Sequence, residues 1–140
     1  MKIGYLRLDP AANLPTRAHA DDLGVDLYAL EHTVLEPLRV TKVRTGIAVQ
    51  FPEGVGGIIK DRSSVATKQE VFTVAGVIDP QYTGEIIVAF FNPTMVSVGF
   101  SAGAKIAQMV LTKAIVVEPT EIYEIHDTTR GAKGFGSSGQ

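Results

Sequence analysis

Asp79 ends an apolar run, Ala75-Gly76-Val77-Ile78, and is followed by Pro80, a polar turn and a second apolar run from Glu85. A carboxylate set between Ile78 and Pro80, partly withdrawn from water, can act as a general base on a water molecule. Gly76 would let the backbone approach a flat ligand closely. The same residues also spell an Asp-Pro turn in which Asp79 bonds its own backbone, and both readings stay open. Asp61-Arg62-Ser63-Ser64 sets a planar guanidinium and two hydroxyls at the mouth of an expected helical turn, 64–68, with Ser63 as its cap. That is a cradle for phosphate, or an exposed corner in which Arg62 pairs with Asp61. Asp26, inside Leu23-Gly24-Val25-Asp26-Leu27-Tyr28-Ala29, is a charge in a strand-like segment. It needs a partner or a metal, or alternation turns it to solvent; beside phosphates it suits a magnesium-bound water. Gln108 poses a similar choice within an apolar strand, between bonding the backbone and facing a ligand.

The tail from Arg130 to Gln140 is rich in glycine yet carries Arg130, Lys133, Phe135, Ser137 and Ser138. The cations, hydroxyls and amides could close over phosphates while Phe135 stacks on a base; the alternative is a disordered terminus. Gly134-Phe135-Gly136-Ser137-Ser138-Gly139 fits G-x-G-x-x-G, but the dinucleotide fingerprint needs a following helix and only one residue remains. No P-loop is present either, because Lys133-Gly134 leads into no helix.

Elements that hold these groups read as strands. Short runs rich in Val and Ile, bounded by Gly, Pro, Asp or Asn, predict strands over 2–8, 25–29, 46–51, 55–60, 71–78, 85–91 and 105–112, with weaker ones at 33–35 and 115–117. The segment 75–86 reads as a β-hairpin. The middle of 105–112 is apolar without alternation, so that strand is central in a sandwich or barrel. The chain of 140 residues suits one domain over 1–129 followed by the arm 130–140. With 13 basic and 15 acidic residues, no broad positive field exists to hold long nucleic acid. Having no cysteine, the chain lacks disulfides, thiolate nucleophiles and Cys-based metal sites. His19, His32 and His126 lack metal-ligand spacing and read as surface residues. No run has the length of a membrane span and the first ten residues form no signal-peptide core, so a soluble, cytoplasmic chain is expected.

The order of these groups closely resembles the five motifs of the homotrimeric dUTPase family. Gly24-Val25-Asp26-Leu27-Tyr28 is similar to the first and Arg62-Ser63-Ser64 to the second. Gly76-Val77-Ile78-Asp79 with Tyr82-Thr83-Gly84 is similar to the third, and Gly103-Ala104-Lys105-Ile106-Ala107-Gln108 to the fourth. Arg130-Gly131 and Gly134-Phe135-Gly136-Ser137-Ser138-Gly139 are similar to the fifth. The resemblance implies an all-β, jelly-roll-like β-barrel with one short helical turn and a flexible C-terminal arm. It implies a trimer with shared sites that cleaves dUTP to dUMP and pyrophosphate with Mg²⁺. Asp79 would activate the attacking water, and the backbone from Gly76 to Ile87 would read uracil. Tyr82 would lie under the deoxyribose. Arg62, Ser63, Ser64 and Gln108 would hold phosphates, and Asp26 would reach magnesium through water. Arg130, Gly136, Ser137 and Ser138 would clamp the phosphate end while Phe135 stacks on the base. Three departures stand out. Thr73 replaces a frequent Asn, Gly24-Val25 lacks an aromatic, and Asp61 replaces a small residue or Pro and could draw Arg62 away from phosphate. The dCTP deaminase branch of the same fold uses a catalytic Glu motif that has no equivalent here.

Overall fold

The computed structural model describes residues 2–129, 131 and 132. Ten strands run in chain order: β1 Gly4–Arg7, β2 Gly24–Tyr28, β3 Thr33–Leu35, β4 Val40–Gln50, β5 Val55–Asp61, β6 Phe72–Val74, β7 Val77–Ile78, β8 Glu85–Phe91, β9 Val98–Phe100 and β10 Lys105–Lys113. A single wide helical turn, Val65–Gln69, follows β5. The ladders form two four-stranded sheets, β1-β4-β8-β6 and β2-β10-β5-β7, and a two-stranded β3-β9, with every pair antiparallel. The all-β expectation therefore holds.

Both four-stranded sheets contribute to one core. Leu27, Ile59, Ile106 and Met109 from one meet Val43, Ile47, Ile86, Val88 and Phe90 from the other. Phe90 packs on Phe100 of β9, ring centroids 5.0 Å apart. β10 lies between β2 and β5, in the central place its unbroken apolar middle predicts. Two polar side chains are sealed in this interior among the described residues, Thr45, whose hydroxyl donates to the Ile86 carbonyl, and Asn92. Asn92 donates to the carbonyls of Leu35 (2.9 Å) and Val96 (2.8 Å) and accepts from the amide and hydroxyl of Thr94, so all its bonding capacity is used.

Several elements differ from the pattern read in sequence. β4 begins at Val40 rather than Gly46, because Lys42 and Arg44 face solvent while Val43 and Thr45 are buried. Its register against β8 slips between Arg44 and Ala48, which carries one strand through the expected glycine boundary. β9 is short and was not anticipated. The segment 115–117 forms no strand: beyond the bond from the Ala114 amide to the Gly54 carbonyl the chain finds no ladder partner, and Ile115, Val116 and Val117 stand exposed.

The largest correction concerns 71–86. The run 71–78 is two strands in two different sheets, β6 on β8 and β7 on β5, so β7 and β8 do not form the expected hairpin ladder. Ala75 and Gly76, with φ of +60° and +98°, turn the chain from one sheet to the other. The Gly76 carbonyl then accepts the Ile59 amide at 2.7 Å.

Candidate active site

Two cavities gather the residues expected to do chemistry. The larger, about 580 Å³, is lined by Ala18, His19, Asp22, Leu23, Gly24, Asp26, Arg62, Ser63, Ser64 and Gln108. β2 and β10 place Asp26 directly opposite Gln108, and β5 places Lys60 opposite Gln108 on the other side. Arg62 follows the end of β5, so three adjacent strands deliver the polar lining. Asp26 is largely enclosed, and each of its oxygens takes a cation: Oδ1 accepts Arg62 Nε at 3.0 Å and Oδ2 accepts Lys105 Nζ at 2.7 Å. Hydrogen bonding and charge attraction to Asp26 raise the Lys105 ammonium above its ordinary pKa of 10.5. A second Arg62 nitrogen donates to the Lys105 carbonyl at 3.3 Å. Asp26 is thus neither solvent-facing nor unpartnered; it fixes the guanidinium that would meet phosphate. Gln108 Nε2 donates to the Asp61 carbonyl at 2.9 Å, so one expected alternative for this amide, a backbone bond, is realised at the cavity wall.

The corner after β5 differs from its expected form in two respects. The helical turn begins at Val65 with Ser64 in the capping position and no side-chain cap, and the Ser63 carbonyl accepts the Thr67 hydroxyl at 2.7 Å. Both serines are exposed at the cavity. Asp61 does not draw Arg62 away, because its carboxylate accepts the Thr73 amide at 2.6 Å.

The smaller cavity, about 160 Å³, is lined by Val77, Ile78, Asp79, Tyr82, Glu85 and Ile87. The Asp79 carbonyl, not its carboxylate, accepts the Tyr82 amide at 3.0 Å, so the turn closes without using the acid. Asp79 is exposed in the single chain rather than partly desolvated. Tyr82 folds back over Gly84, where a side chain would meet its hydroxyl oxygen at 2.6 Å, and that hydroxyl donates to the Glu85 carbonyl at 2.9 Å. The result is an apolar wall of Val77, Tyr82 and Ile87 with two acids beside it: Asp79, and Glu85, whose carboxylate accepts Arg44 Nε and the Gly46 amide. Gly76 lines neither cavity; a methyl group there would meet Ile59 Cβ at 3.0 Å and its carbonyl at 3.1 Å. The close approach that this glycine permits is to β5.

Val77 and Ile78 pair with Ile58 and Gly57 of β5, running antiparallel, so Asp79 comes opposite Gly56. Arg62 lies six residues further along, which at the strand rise is roughly 20 Å. One chain therefore carries two cavities, one polar and one apolar, held apart by the length of β5.

The dUTPase family model matches residues 11–139. The chain belongs to the dUTPase family. It is 41 % identical to the deoxyuridine 5'-triphosphate nucleotidohydrolase of Gloeothece citriformis, over 99 % of this chain and 97 % of the relative. It is also 41 % identical to that of Solibacter usitatus, over 100 % and 97 %. The dUTPase of Staphylococcus bacteriophage 80alpha, solved as a G164S mutant with dUpNHpp, shares the fold with a TM-score of 0.93 at 28 % identity, covering 99 % of each chain. The jelly-roll-like fold expected of a dUTPase is therefore the fold of this chain.

Lys105 and the Ala18–Asp22 loop escaped the sequence reading. Lys105 sits inside the fourth dUTPase motif, and its pairing with Asp26 could have been found from the single charge in β2. His19 offered no such signal. It joins the cavity through local geometry, its amide bonding Asp22 Oδ2 at 2.9 Å and thereby holding that carboxyl below the usual carboxylate range. Arg130, Phe135, Gly136, Ser137 and Ser138 lie outside the described residues.

Proposed function

We propose that this dUTPase-family chain hydrolyses dUTP to dUMP and pyrophosphate, in the cytoplasm, at sites shared between copies of a homotrimer. The reading is supported by one observation: residues of the family's motifs line two separate cavities, one of cations and hydroxyls and one apolar, with the Asp79 carboxylate free of its own turn. A triphosphate whose α-phosphorus is attacked must lie within reach of both the base and the phosphate-holding groups. Roughly 20 Å along β5 exceeds that reach, so the Asp79 of one chain serves the Arg62 cavity of another. The apolar Ile115, Val116, Val117, Ile122, Tyr123 and Ile125, exposed in a single chain beyond β10, supply surface for a neighbour to cover.

In this mechanism Asp79 accepts a proton from water at a carboxylate oxygen. The water oxygen bonds to the α-phosphorus as the bond from that phosphorus to the pyrophosphate oxygen breaks. Arg62, fixed by Asp26, neutralises developing charge, and Ser63, Ser64 and Gln108 hold phosphate oxygens. The Val77–Ile87 region reads the uracil edge, and Tyr82 packs against the sugar and leaves no room for a 2′-hydroxyl. A mismatched base leaves a buried donor or acceptor unpaired, at about 1–3 kcal/mol. Arg130, Gly136, Ser137 and Ser138 close over the phosphates and Phe135 over the base. Among the described residues no group of three His, Cys, Asp or Glu stands ready to ligate a metal, and both Asp26 oxygens already hold cations. That donor set fits Mg²⁺ carried mainly by phosphate oxygens, with Asp26 reached through water. Bound in that way, magnesium supplies charge neutralisation on the triphosphate. The activity limits uracil entry into DNA and provides dUMP for dTMP synthesis.

Pyrophosphate release from dUTP, UTP, dCTP and dTTP, with Mg²⁺ and with chelator, tests the reaction. Release from dUTP alone, lost on chelation, is expected; release from none of them refutes it. Mixing inactive Asp79→Asn and inactive Arg62→Ala chains tests the sharing. Exchanged subunits form some sites from two intact halves, so activity should return, and silence on mixing refutes sharing.

A further inference from the structure

Asp61 is bound at both ends of its residue. Its carbonyl accepts Gln108 Nε2 at 2.9 Å across the β5-β10 pair, and its carboxylate Oδ1 accepts the Thr73 amide at 2.6 Å. Thr73 belongs to β6, the outermost strand of the opposite sheet, whose ladder partner is β8 alone. The Asp61 carboxylate therefore stands where a further strand would and joins the end of one sheet to the open edge of the other. Arg62-Ser63-Ser64 begins at the very next residue. From Ser63 onward the chain is exposed, apart from buried Val65 and half-buried Ala66, until Val71 returns to the core. The phosphate corner thus has a firm anchor behind it on β5, and Thr73 supplies that anchor from the far side.

We propose that Asp61 is a positioning residue for phosphate recognition: its bond to the Thr73 amide holds the Arg62-Ser63-Ser64 corner at the orientation needed to grip the triphosphate. The inference rests on the dUTPase reading above. A carboxylate this near a phosphate cavity would otherwise only oppose an anionic ligand. Its presence is accounted for by the amide it accepts, since an unpaired N–H at a sheet edge facing protein is costly. Charge and hydrogen bond predict opposite behaviour on substitution. Asp61→Asn removes the charge and keeps an acceptor of the same reach, whereas Asp61→Ala removes both.

The test compares the wild type with Asp61→Asn and Asp61→Ala in three measurements: dUTP turnover, binding of the non-hydrolysable α,β-imido analogue of dUTP, and inhibition by dUMP. Asp61→Ala should weaken analogue binding and lower kcat/KM at least tenfold while moving the dUMP inhibition constant less than twofold. Asp61→Asn should stay within threefold of wild type throughout. If Asp61→Ala does not fold, Thr73→Pro deletes the donor instead of the acceptor. An edge strand tolerates proline where its amide leaves the ladder, and the same selective loss is expected. Equal analogue binding by wild type and Asp61→Ala overturns the proposal. So does an Asn variant as impaired as the Ala variant, which would assign the effect to charge, and so does a parallel loss of dUMP inhibition, which would make the role merely structural. A wild type that leaves dUTP intact removes the functional reading and this inference with it. Active wild type with unaffected Asp61→Ala removes the inference alone.

Discussion

Replacing Gly76 by alanine distinguishes two uses of the same glycine. If the glycine exists to let the backbone meet a flat base, Gly76→Ala should weaken nucleotide binding and leave the empty protein as stable as before. The geometry assigns its use to the fold. At φ +98° an L-residue is strained by about 1–2 kcal/mol. The new methyl would stand 3.0 Å from Ile59 Cβ and 3.1 Å from its carbonyl. Neither side can easily withdraw, because Ile59 is 3 % exposed and its amide already donates to Gly76 at 2.7 Å. Overpacking of this kind adds about 1–3 kcal/mol. The sum is about 2–5 kcal/mol, which for a domain of this size lowers Tm by roughly 8–20 °C. Thermal and urea melts without nucleotide read it directly. A Tm within 2 °C of wild type, with binding weakened, would refute the structural assignment and restore the ligand-approach reading; that threshold is roughly half the shift expected for 1 kcal/mol.

Asp79→Asn keeps the Asp79-to-Tyr82 turn, which uses the backbone carbonyl, and should lower kcat about 10²–10⁴-fold with analogue binding little changed; an active variant would remove Asp79 as the base. Asn92→Ala strands the Leu35 carbonyl and the Thr94 amide in or near the core and should cost about 2–4 kcal/mol in urea unfolding, so a loss below about 1 kcal/mol would refute the bonding scheme. The Lys105 contribution has a defined sign. Its pKa is raised in the fold, so its stabilisation is fully present below the unfolded value near 10.5 and is lost as pH rises through the folded value. The Tm difference between wild type and Lys105→Met should therefore hold steady from pH 7 to 9 and shrink above about pH 10.5. A difference that persists unchanged through pH 11.5 would show that alkyl packing, not the ion pair, is responsible, since that is about one unit above the ordinary lysine value.

The strands were legible where burial follows from local composition. β5, β8 and β10 are short apolar runs between turn residues, and their central places follow from that. The first half of β4 lies outside the expected strand 46–51, although the alternation of Lys42 and Arg44 with Val43 and Thr45 is what a half-exposed strand shows. The split between β6 and β7 was not legible, because Ala75 at φ +60° is a conformation alanine rarely adopts and only the surrounding sheets enforce it. Among the candidate site residues, Arg62, Ser63, Ser64, Gln108 and Asp79 are singled out by type and order; the fold gathers the first four in one cavity and sets Asp79 in another. Lys105 was missed because its role exists only through a cross-strand contact, β10 beside β2. For Asp61 the sequence offers only its neighbour Arg62 as a possible partner, whereas the fold supplies the Thr73 amide, twelve residues away.

β5 gives these separate facts one cause. Its Gly57 faces Ile78, and its far end leads into Arg62, so one strand carries the register of both half-sites. Most of its residues, Val55, Gly56, Gly57 and Ile59, are buried, and it is held by β10 on one side and β7 on the other, so it cannot flex without breaking two ladders. The separation of the acid from the phosphate cavity is then a fixed length, not a hinge. Bending one chain along β5 does not bring the two groups together, which is the observation behind the proposal that a second chain's acid serves the first chain's cavity. The same rigidity explains why small groups along β5 matter to chemistry some distance away. Gly76 packs on Ile59, Gln108 bonds the Asp61 carbonyl, and Asp61 ties to Thr73, so each fixes one point of the strand against a different neighbour. Loosening any one of them shifts one cavity relative to its own sheet, and in the proposed trimer it would shift that cavity relative to the groups a neighbour supplies.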